Sequence, residues 1–246
     1  MVLHATPVIG RGLMTRARID LFFDCISPYT HISLNLWSRY SKVWPVTLKL
    51  HPFFLGGVMK ASGNQPPGIL AARGTFLTQD LRRSAALYDV PLLDIPANFL
   101  SPPLQKSAMG VARLLCAAQL QGIGDEKLLD LAVAASDCIH NDSSFRSGAE
   151  LTITDTLLHA ACSRVGLDGH LLVPLSQSED AKKALRSNTE KAVERGAFGS
   201  PTAFVFVAEG PGRAESEGMF FGSDRMEQLA HHLSLPYGGA HPQSRL

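Results

Sequence analysis

The fold of this chain is decided by the stretch Phe22-Phe23-Asp24-Cys25-Ile26-Ser27-Pro28-Tyr29. An apolar strand pattern over residues 19–25 runs into a serine and a proline, and then into a helical pattern. Ser27 is predicted to cap this helix, and Pro28 to take its first position, where the missing N–H is not needed. The positive end of a helix favours an anion beside the Ser27 hydroxyl.

The order of the predicted elements around this corner indicates the fold class. A helix over Pro28–Tyr40 and a strand over residues 46–51 complete a βαβ unit. The pattern then becomes helical from about residue 67 to residue 177. The remaining predictions are a helix over 179–195, strands over 202–207 and 218–221, and a helix over 224–233. This order predicts an α/β, thioredoxin-like fold with an all-helical domain inserted after the first βαβ unit.

The domain boundaries follow from the same pattern. The thioredoxin-like domain is predicted to comprise residues 19–66 and 179–235, and the inserted helical domain residues 67–178. Residues 1–18 carry three arginines and no acidic residue, and residues 236–246 are rich in Gly and Pro. We therefore expect a flexible segment at each end of the chain.

Composition excludes several classes of function. The 246 residues carry a formal net charge of +1, and Lys and Arg are scattered, so no nucleic-acid partner is expected. No apolar run reaches the roughly 18–20 residues needed to span a bilayer. The four cysteines are far apart and are interpreted as small core residues rather than a disulfide framework. No Cys/His spacing is typical of zinc, so no metal site is predicted.

The corner itself indicates binding of a thiolate. In thioredoxin-like redox proteins this position carries Cys-x-x-Cys, whereas residues 27–30 read Ser-Pro-Tyr-Thr. Disulfide exchange needs an attacking thiolate, so this corner cannot perform it. It is suited instead to stabilise the thiolate of a ligand. The alternative is that Ser27 is a plain helix cap.

Two further segments carry candidate binding residues. Thioredoxin-like folds place a cis proline before the third strand, so we expect Pro201 to be cis and the backbone of Ser200 to pair with a peptide-like ligand. Near the last helix, exposed backbone N–H groups around Ser223 could hold a carboxylate while Asp224 pairs with an ammonium group. The alternatives are a trans proline opening an edge strand and a routine helix start. A thiolate corner, a backbone clamp and a zwitterion pocket together match glutathione.

These residues resemble a known family. The chain is similar over almost its whole length to kappa-class glutathione transferases, and more distantly to 2-hydroxychromene-2-carboxylate isomerases. The resemblance is carried by Ser27-Pro28-Tyr29, residues 57–68 (GVMKASGNQPPG), residues 196–199 (GAFG) before Pro201, residues 221–227 (FGSDRME) and the terminal Arg245-Leu246.

The resemblance implies a role for each site residue. Ser27 would hydrogen-bond the glutathione sulfur as the catalytic residue, beside Pro28 and Tyr29. The tripeptide and its γ-glutamyl end would be held by Asn64, Ser200, Pro201, Ser223 and Asp224. No cofactor is implied, since glutathione is a co-substrate, and the second substrate would be a small electrophile. A homodimer in peroxisomes or mitochondria is also implied.

Two departures from the family pattern fall inside the site. Family members often have Ser-Trp after Ser-Pro-Tyr, where this chain has Thr30-His31. They usually have an aliphatic residue before the proline, where this chain has Ser200. Backbone pairing survives the second change, while the first is expected to alter the electrophile pocket.

The C-terminus carries a candidate address. Ser244-Arg245-Leu246 resembles the Ser-Lys-Leu signal, so a peroxisomal import receptor is an expected partner. The basic residues 1–18 make the mitochondrion the alternative. For the activity, the alternatives to conjugation are a glutathione-dependent isomerase and a redox-silent thioredoxin-like binding protein.

Overall fold

The computed structural model describes residues 17–208 and 215–243. Its elements in chain order are β1 (Ala17–Phe23), α1 (Pro28–Tyr40), β2 (Val46–Pro52), α2 (Leu55–Ser62), α3 (Ala71–Tyr88), α4 (Pro102–Leu120), α5 (Asp125–His140), β3 (Arg146–Ser147), β4 (Glu150–Leu151), α6 (Asp155–Arg164), α7 (Gly169–Leu175), α8 (Glu179–Glu194), β5 (Thr202–Ala208), β6 (Glu215–Phe221) and α9 (Met226–His232). Short 3₁₀ turns precede α3, β3 and α9.

A mixed four-stranded sheet in the order β2-β1-β5-β6 organises the molecule. β1 pairs parallel with β2 and antiparallel with β5, and β6 pairs antiparallel with β5. The βαβ unit and the closing pair of antiparallel strands confirm the predicted thioredoxin-like order. A second, two-stranded sheet of β3 and β4 lies within the insert, where only helices were expected.

β1 lies two residues earlier than the predicted strand 19–25. The chain leaves the sheet after Phe23 because the Ser27 N–H donates to the Asp24 carbonyl oxygen at 3.1 Å. The Ile26 N–H also donates to Asp24 Oδ1 at 3.2 Å, which tightens the same turn. β6 is longer than predicted and begins at Glu215 rather than at residue 218.

The inserted helices share one hydrophobic core with the sheet. A single cluster of buried side chains runs from Ile19 on β1 through Trp37 on α1 to Leu115 on α4 and Leu157 on α6. The insert also contacts β2 directly, since the Gln119 side-chain amide donates to the Leu50 carbonyl oxygen at 2.8 Å. The insert is therefore packed as part of the sheet's core.

Helix α2 was not predicted, because Gly56 and Gly57 lower helix propensity. The structure explains both glycines. A Cβ at Gly56 would lie 2.7 Å from the Phe54 ring, and one at Gly57 would lie 3.1 Å from both Phe54 and Thr189. The small residues let α2 approach α8 and the Phe54 ring closely.

The start of the predicted C-terminal flexible segment is packed against α1. Trp44 Nε1 donates to the Pro236 carbonyl oxygen at 2.8 Å. The Tyr40 hydroxyl donates to the Gly239 carbonyl oxygen, also at 2.8 Å. The rings of Tyr40 and Tyr237 stack with centroids 5.8 Å apart. Residues 236–240 thus have fixed contacts, whereas residues 1–16 and the candidate address 244–246 lie outside the described residues.

Within the two described ranges, no helix is long and apolar enough to cross a bilayer. The same ranges contain no group of three or more metal-ligating side chains. All four cysteines are free and buried, which confirms their interpretation as core residues.

Candidate active site

Ser27 caps α1 as predicted. Its backbone is extended, with φ −76° and ψ 123°, and its Oγ accepts a hydrogen bond from the Thr30 N–H at 3.3 Å. Pro28 occupies the first helical position. Ser27 is 6% exposed, so its hydroxyl lies at the buried, positive end of the helix.

The Ser27 hydroxyl also contacts the second predicted segment. Its Oγ donates to the Ser200 carbonyl oxygen at 3.2 Å. The Ser200–Pro201 peptide bond is cis, as the sequence predicted. The helix corner and the loop before β5 therefore meet at one point, although 173 residues separate the two serines.

The other predicted segments converge on the same loop. The Asn64 side-chain amide donates to the Phe198 carbonyl oxygen at 2.7 Å. The Gly222 N–H donates to the Pro201 carbonyl oxygen at 3.0 Å, which brings the start of α9 alongside. Ser27, Asn64 and Gly222 therefore all contact the loop of residues 198–201, which is called the hub loop below.

A buried network links Thr30 and Ser200, two of the three positions that depart from the family pattern. Thr30 Oγ1 and Ser200 Oγ lie 2.7 Å apart, and Thr30 is fully buried. Ser200 Oγ also accepts from the Asp24 N–H at 2.9 Å. Thr30 and Ser200 are therefore partners, because the one hydrogen bond between them satisfies both hydroxyls in a buried position.

Tyr29 is held by a carboxylate. Its hydroxyl donates to Asp80 Oδ2 at 2.7 Å. Burial, followed by the Asp80 hydrogen bond and charge, raises the pKa of Tyr29 well above its ordinary value. Tyr29 is therefore a neutral donor already engaged by Asp80, a residue that the sequence patterns did not single out.

Ser223 and Asp224 differ in exposure. Gly222 has a φ of 108°, which glycine adopts readily, and it leads into the 3₁₀ turn that starts at Ser223. Ser223 is 3% exposed, while the Asp224 side chain is 59% exposed and pairs with Arg225. The predicted helix start at residue 224 is corrected to Met226, because the 3₁₀ turn comes first.

Asp24 supports the corner from inside. Its two side-chain oxygens accept from the N–H groups of Ile26, at 3.2 Å, and Leu55, at 2.9 Å. Burial raises the pKa of Asp24 to about 6, although the hydrogen bonds from these two donors act to lower it. Burial also raises the pKa of the neighbouring Cys25 thiol well above its ordinary value, so this thiol is unsuited to redox exchange.

Two buried histidines lie beneath the corner: His31, which the sequence analysis named only as a departure from the family pattern, and His140, which it did not single out. His31 Nε2 lies 2.9 Å from the Pro91 carbonyl oxygen, and its Nδ1 lies 3.0 Å from Ser136 Oγ. His140 Nε2 donates to the Cys25 carbonyl oxygen at 2.9 Å. Burial lowers the pKa of both histidines, which favours their neutral forms. The available signal in the sequence was one histidine within each of two apolar helical patterns, those of α1 and α5.

The sheet order and the thiol-free corner define a thioredoxin-like protein that lacks the redox cysteines at this corner. The DSBA-like thioredoxin domain family matches residues 18–234, so the chain belongs to this family. Within it, the chain belongs to the kappa-class glutathione transferases. It is 31% identical over 227 residues to glutathione S-transferase kappa 1 of Homo sapiens, covering 91% of this chain and 94% of that protein.

One further relative agrees with this placement, and one solved structure shares the fold. The chain is 34% identical over 221 residues to glutathione S-transferase kappa 1 of Caenorhabditis elegans, covering 89% of this chain and 92% of the relative. The structure of a 2-hydroxychromene-2-carboxylate isomerase matches with a TM-score of 0.68 at 21% identity, covering 88% of this chain and 94% of that chain. The second likeness concerns the fold alone.

Proposed function

We propose that this protein is a glutathione transferase that joins the thiolate of glutathione to small electrophiles. The observation that carries the proposal is the position of the Ser27 hydroxyl, which caps α1 and lies 3.2 Å from the carbonyl oxygen of Ser200. The kappa-class relatives support the same activity. No cofactor is needed, because glutathione itself supplies the reacting sulfur.

Ser27 would stabilise the thiolate as a hydrogen-bond donor, with no need to act as a base. The Ser27 O–H would rotate from the Ser200 carbonyl oxygen toward the sulfur, while Ser27 Oγ continues to accept from the Thr30 N–H. A bond to an anion is stronger than one to a neutral carbonyl. Free thiols have a pKa of about 8.5, and lowering it by about two units needs roughly 2.7 kcal/mol of preference for the anion. The helix N-terminus and the hydroxyl together can supply that amount.

The rest of the tripeptide would bind along the hub loop. The Ser200 carbonyl, freed when Ser27 turns, would accept from the glutathione backbone in the manner of an added strand. Ser223 and Asp224 would receive the γ-glutamyl carboxylate and ammonium groups. Asn64 would act at the edge of the same loop, and Pro28 and Tyr29 would form the wall beside the sulfur. The thiolate would then be held next to the electrophile, which adds the proximity effect.

The test is a pH titration of the thiolate absorbance of bound glutathione in the wild-type protein, Ser27→Ala and Tyr29→Phe. Losing one hydrogen bond to a charged group costs roughly 1.5–3 kcal/mol. Ser27→Ala should therefore raise the pKa of the bound thiol by about one to two pH units and leave glutathione affinity within a few-fold. If only Tyr29→Phe moves the titration, the catalytic role passes to Tyr29.

Two other activities would use the same site. An isomerase would add and release the thiol reversibly, and the likeness to the isomerase fold favours testing it. Turnover of a hydroxychromene carboxylate, compared with that of an aryl halide, separates the two reactions. A redox-silent binding protein would instead show no rise in melting temperature with millimolar glutathione, because a true ligand stabilises the native state.

Assembly as a homodimer and import into peroxisomes are further parts of the proposal. Several large apolar side chains are exposed within residues 69–100, and a second copy could cover them. Light scattering at micromolar concentration tests the dimer.

For import, a fluorescent fusion on the N-terminus should give peroxisomal puncta that vanish when Leu246 is deleted. A second fusion on the C-terminus leaves residues 1–18 free, and mitochondrial fluorescence of that fusion would favour the alternative destination.

A further inference from the structure

A second cleft lies away from the proposed glutathione site. Its volume is about 610 Å³, and it is bounded by residues of α2, α4 and α8. Its apolar lining includes Phe54, Ala61, Met109, Leu185 and Val193. No residue assigned above to glutathione lines this cleft. A volume of this size is in the range of small-molecule sites.

One part of the cleft is cationic. Arg113 on α4 and Lys182 and Arg186 on α8 all line it. Lys182 pairs with Glu179 at 2.8 Å. The hydrogen bond and charge of Lys182, and then the charges of Arg186 and Arg113, lower the pKa of Glu179. Glu190 and Glu194 also line the cleft, so with Glu179 the charges balance, and the cationic character is local to Arg113, Lys182 and Arg186.

Two of these cations have spare hydrogen-bonding capacity. Among the described residues, no carboxylate lies within ion-pair distance of Arg113 or Arg186. Arg113 Nε is buried and has no hydrogen-bond partner among the described residues. A buried donor without a partner is costly, and an oxyanion that reached it would remove that cost.

We propose that this cleft binds an amphipathic anion, a carboxylate or sulfonate carried on a single apolar body. The anionic group would lie at Arg113 and Arg186, where a guanidinium can bind two oxygens at once. The apolar body would pack on Met109 and Leu185. Glu190 and Glu194, further along α8, also line the cleft and would repel a second anionic group. The site therefore selects ligands with one anionic end.

The probe for the test is 8-anilinonaphthalene-1-sulfonate, whose fluorescence rises in an apolar site. It should bind the wild-type protein at one saturable site that millimolar glutathione does not displace. The double variant Arg113→Gln/Arg186→Gln should bind at least tenfold more weakly. Ala61→Phe, which adds a ring at an exposed position of the lining, should weaken binding similarly. Lys183→Gln removes a cation from the exposed side of the same helix, so it is the matched control and should bind as the wild type.

Three outcomes would overturn the proposal. The first is equal affinity in the double variant and the Lys183→Gln control. The second is displacement of the probe by glutathione, which would put the probe in the transferase site. The third is no saturable binding, together with dissociation of a dimer in Ala61→Phe, which would mean that a second copy of the chain covers the cleft. Glutathione conjugation should be unchanged in all three variants, so a failure here leaves the proposed activity separately testable.

Discussion

The two ends of the proposed glutathione site differ in how firmly their residues are held. At the sulfur end, Ser27, Thr30 and Ser200 are at most 7% exposed and are joined by hydrogen bonds. At the γ-glutamyl end, the Asp224 side chain is 59% exposed and pairs only with its neighbour Arg225 in the described residues. A preorganised donor matters most where charge changes during the reaction. The fixed end would therefore govern the chemistry, and the open end would govern binding.

The largest effect that would test this comparison concerns Asp24, the buried group behind the sulfur end. Its pKa in the folded state is about 6, above the ordinary value of 3.8, so the folded protein holds the proton more tightly than the unfolded chain. The stability from this group is fully present below about pH 4 and is lost as the pH rises through 6. Two pH units correspond to about 3 kcal/mol.

Urea unfolding at pH 3.5 and pH 7.5 in the wild type and Asp24→Asn measures this effect. The free energy of unfolding of the wild type should fall with rising pH relative to that of the variant, because asparagine does not titrate. Parallel pH profiles in the two proteins would show that Asp24 keeps an ordinary pKa, and the account of a rigidly buried corner would then be wrong.

The next effect concerns the hydroxyl pair. Ser200→Ala removes the acceptor of the Asp24 N–H and the partner of Thr30, and it should cost about 2 kcal/mol of unfolding free energy. Thr30→Val should cost less, because Ser200 can still accept from Asp24. Thermal or urea unfolding gives the order. A larger loss in Thr30→Val than in Ser200→Ala would reverse the assigned roles.

A smaller effect is expected for His140, which acts through the backbone that carries Ser27. His140→Phe leaves the Cys25 carbonyl oxygen without its donor and should cost about 1–2 kcal/mol of stability. It should also lower kcat more than it raises KM for glutathione. His140→Gln retains an amide donor and is expected to recover part of both losses. Equal behaviour of the two variants would assign His140 to packing alone.

The smallest effect is expected at the open end. Asp224→Ala should raise KM for glutathione a few-fold and leave kcat within about twofold, because an exposed charge contributes little and acts equally in ground and transition states. Steady-state kinetics with varied glutathione measures both parameters. A large fall in kcat at unchanged KM would remove the distinction between the two ends.

Local sequence predicted the sulfur corner well. The Ser27 cap, Pro28 at the first helical position and the order of strands and helices along the chain all depend on residues close in sequence, so their patterns were visible. Helix α2 was missed because two glycines disfavour a helix locally, and only the Phe54 ring and α8 explain them. The engaged state of Tyr29 was also missed, since Asp80 lies 51 residues away.

The sequence by itself determined the strand-to-helix corner, the absence of a thiol at positions 27–30 and the thioredoxin-like order, because each depends on short-range patterning. Only the tertiary structure decided which groups meet there. It joined Ser27 to Ser200, paired Thr30 with Ser200 and buried Asp24 and His140 behind them. Hydrogen bonds across more than a hundred residues leave no periodic trace in a sequence, because only the packing of the core brings their partners together.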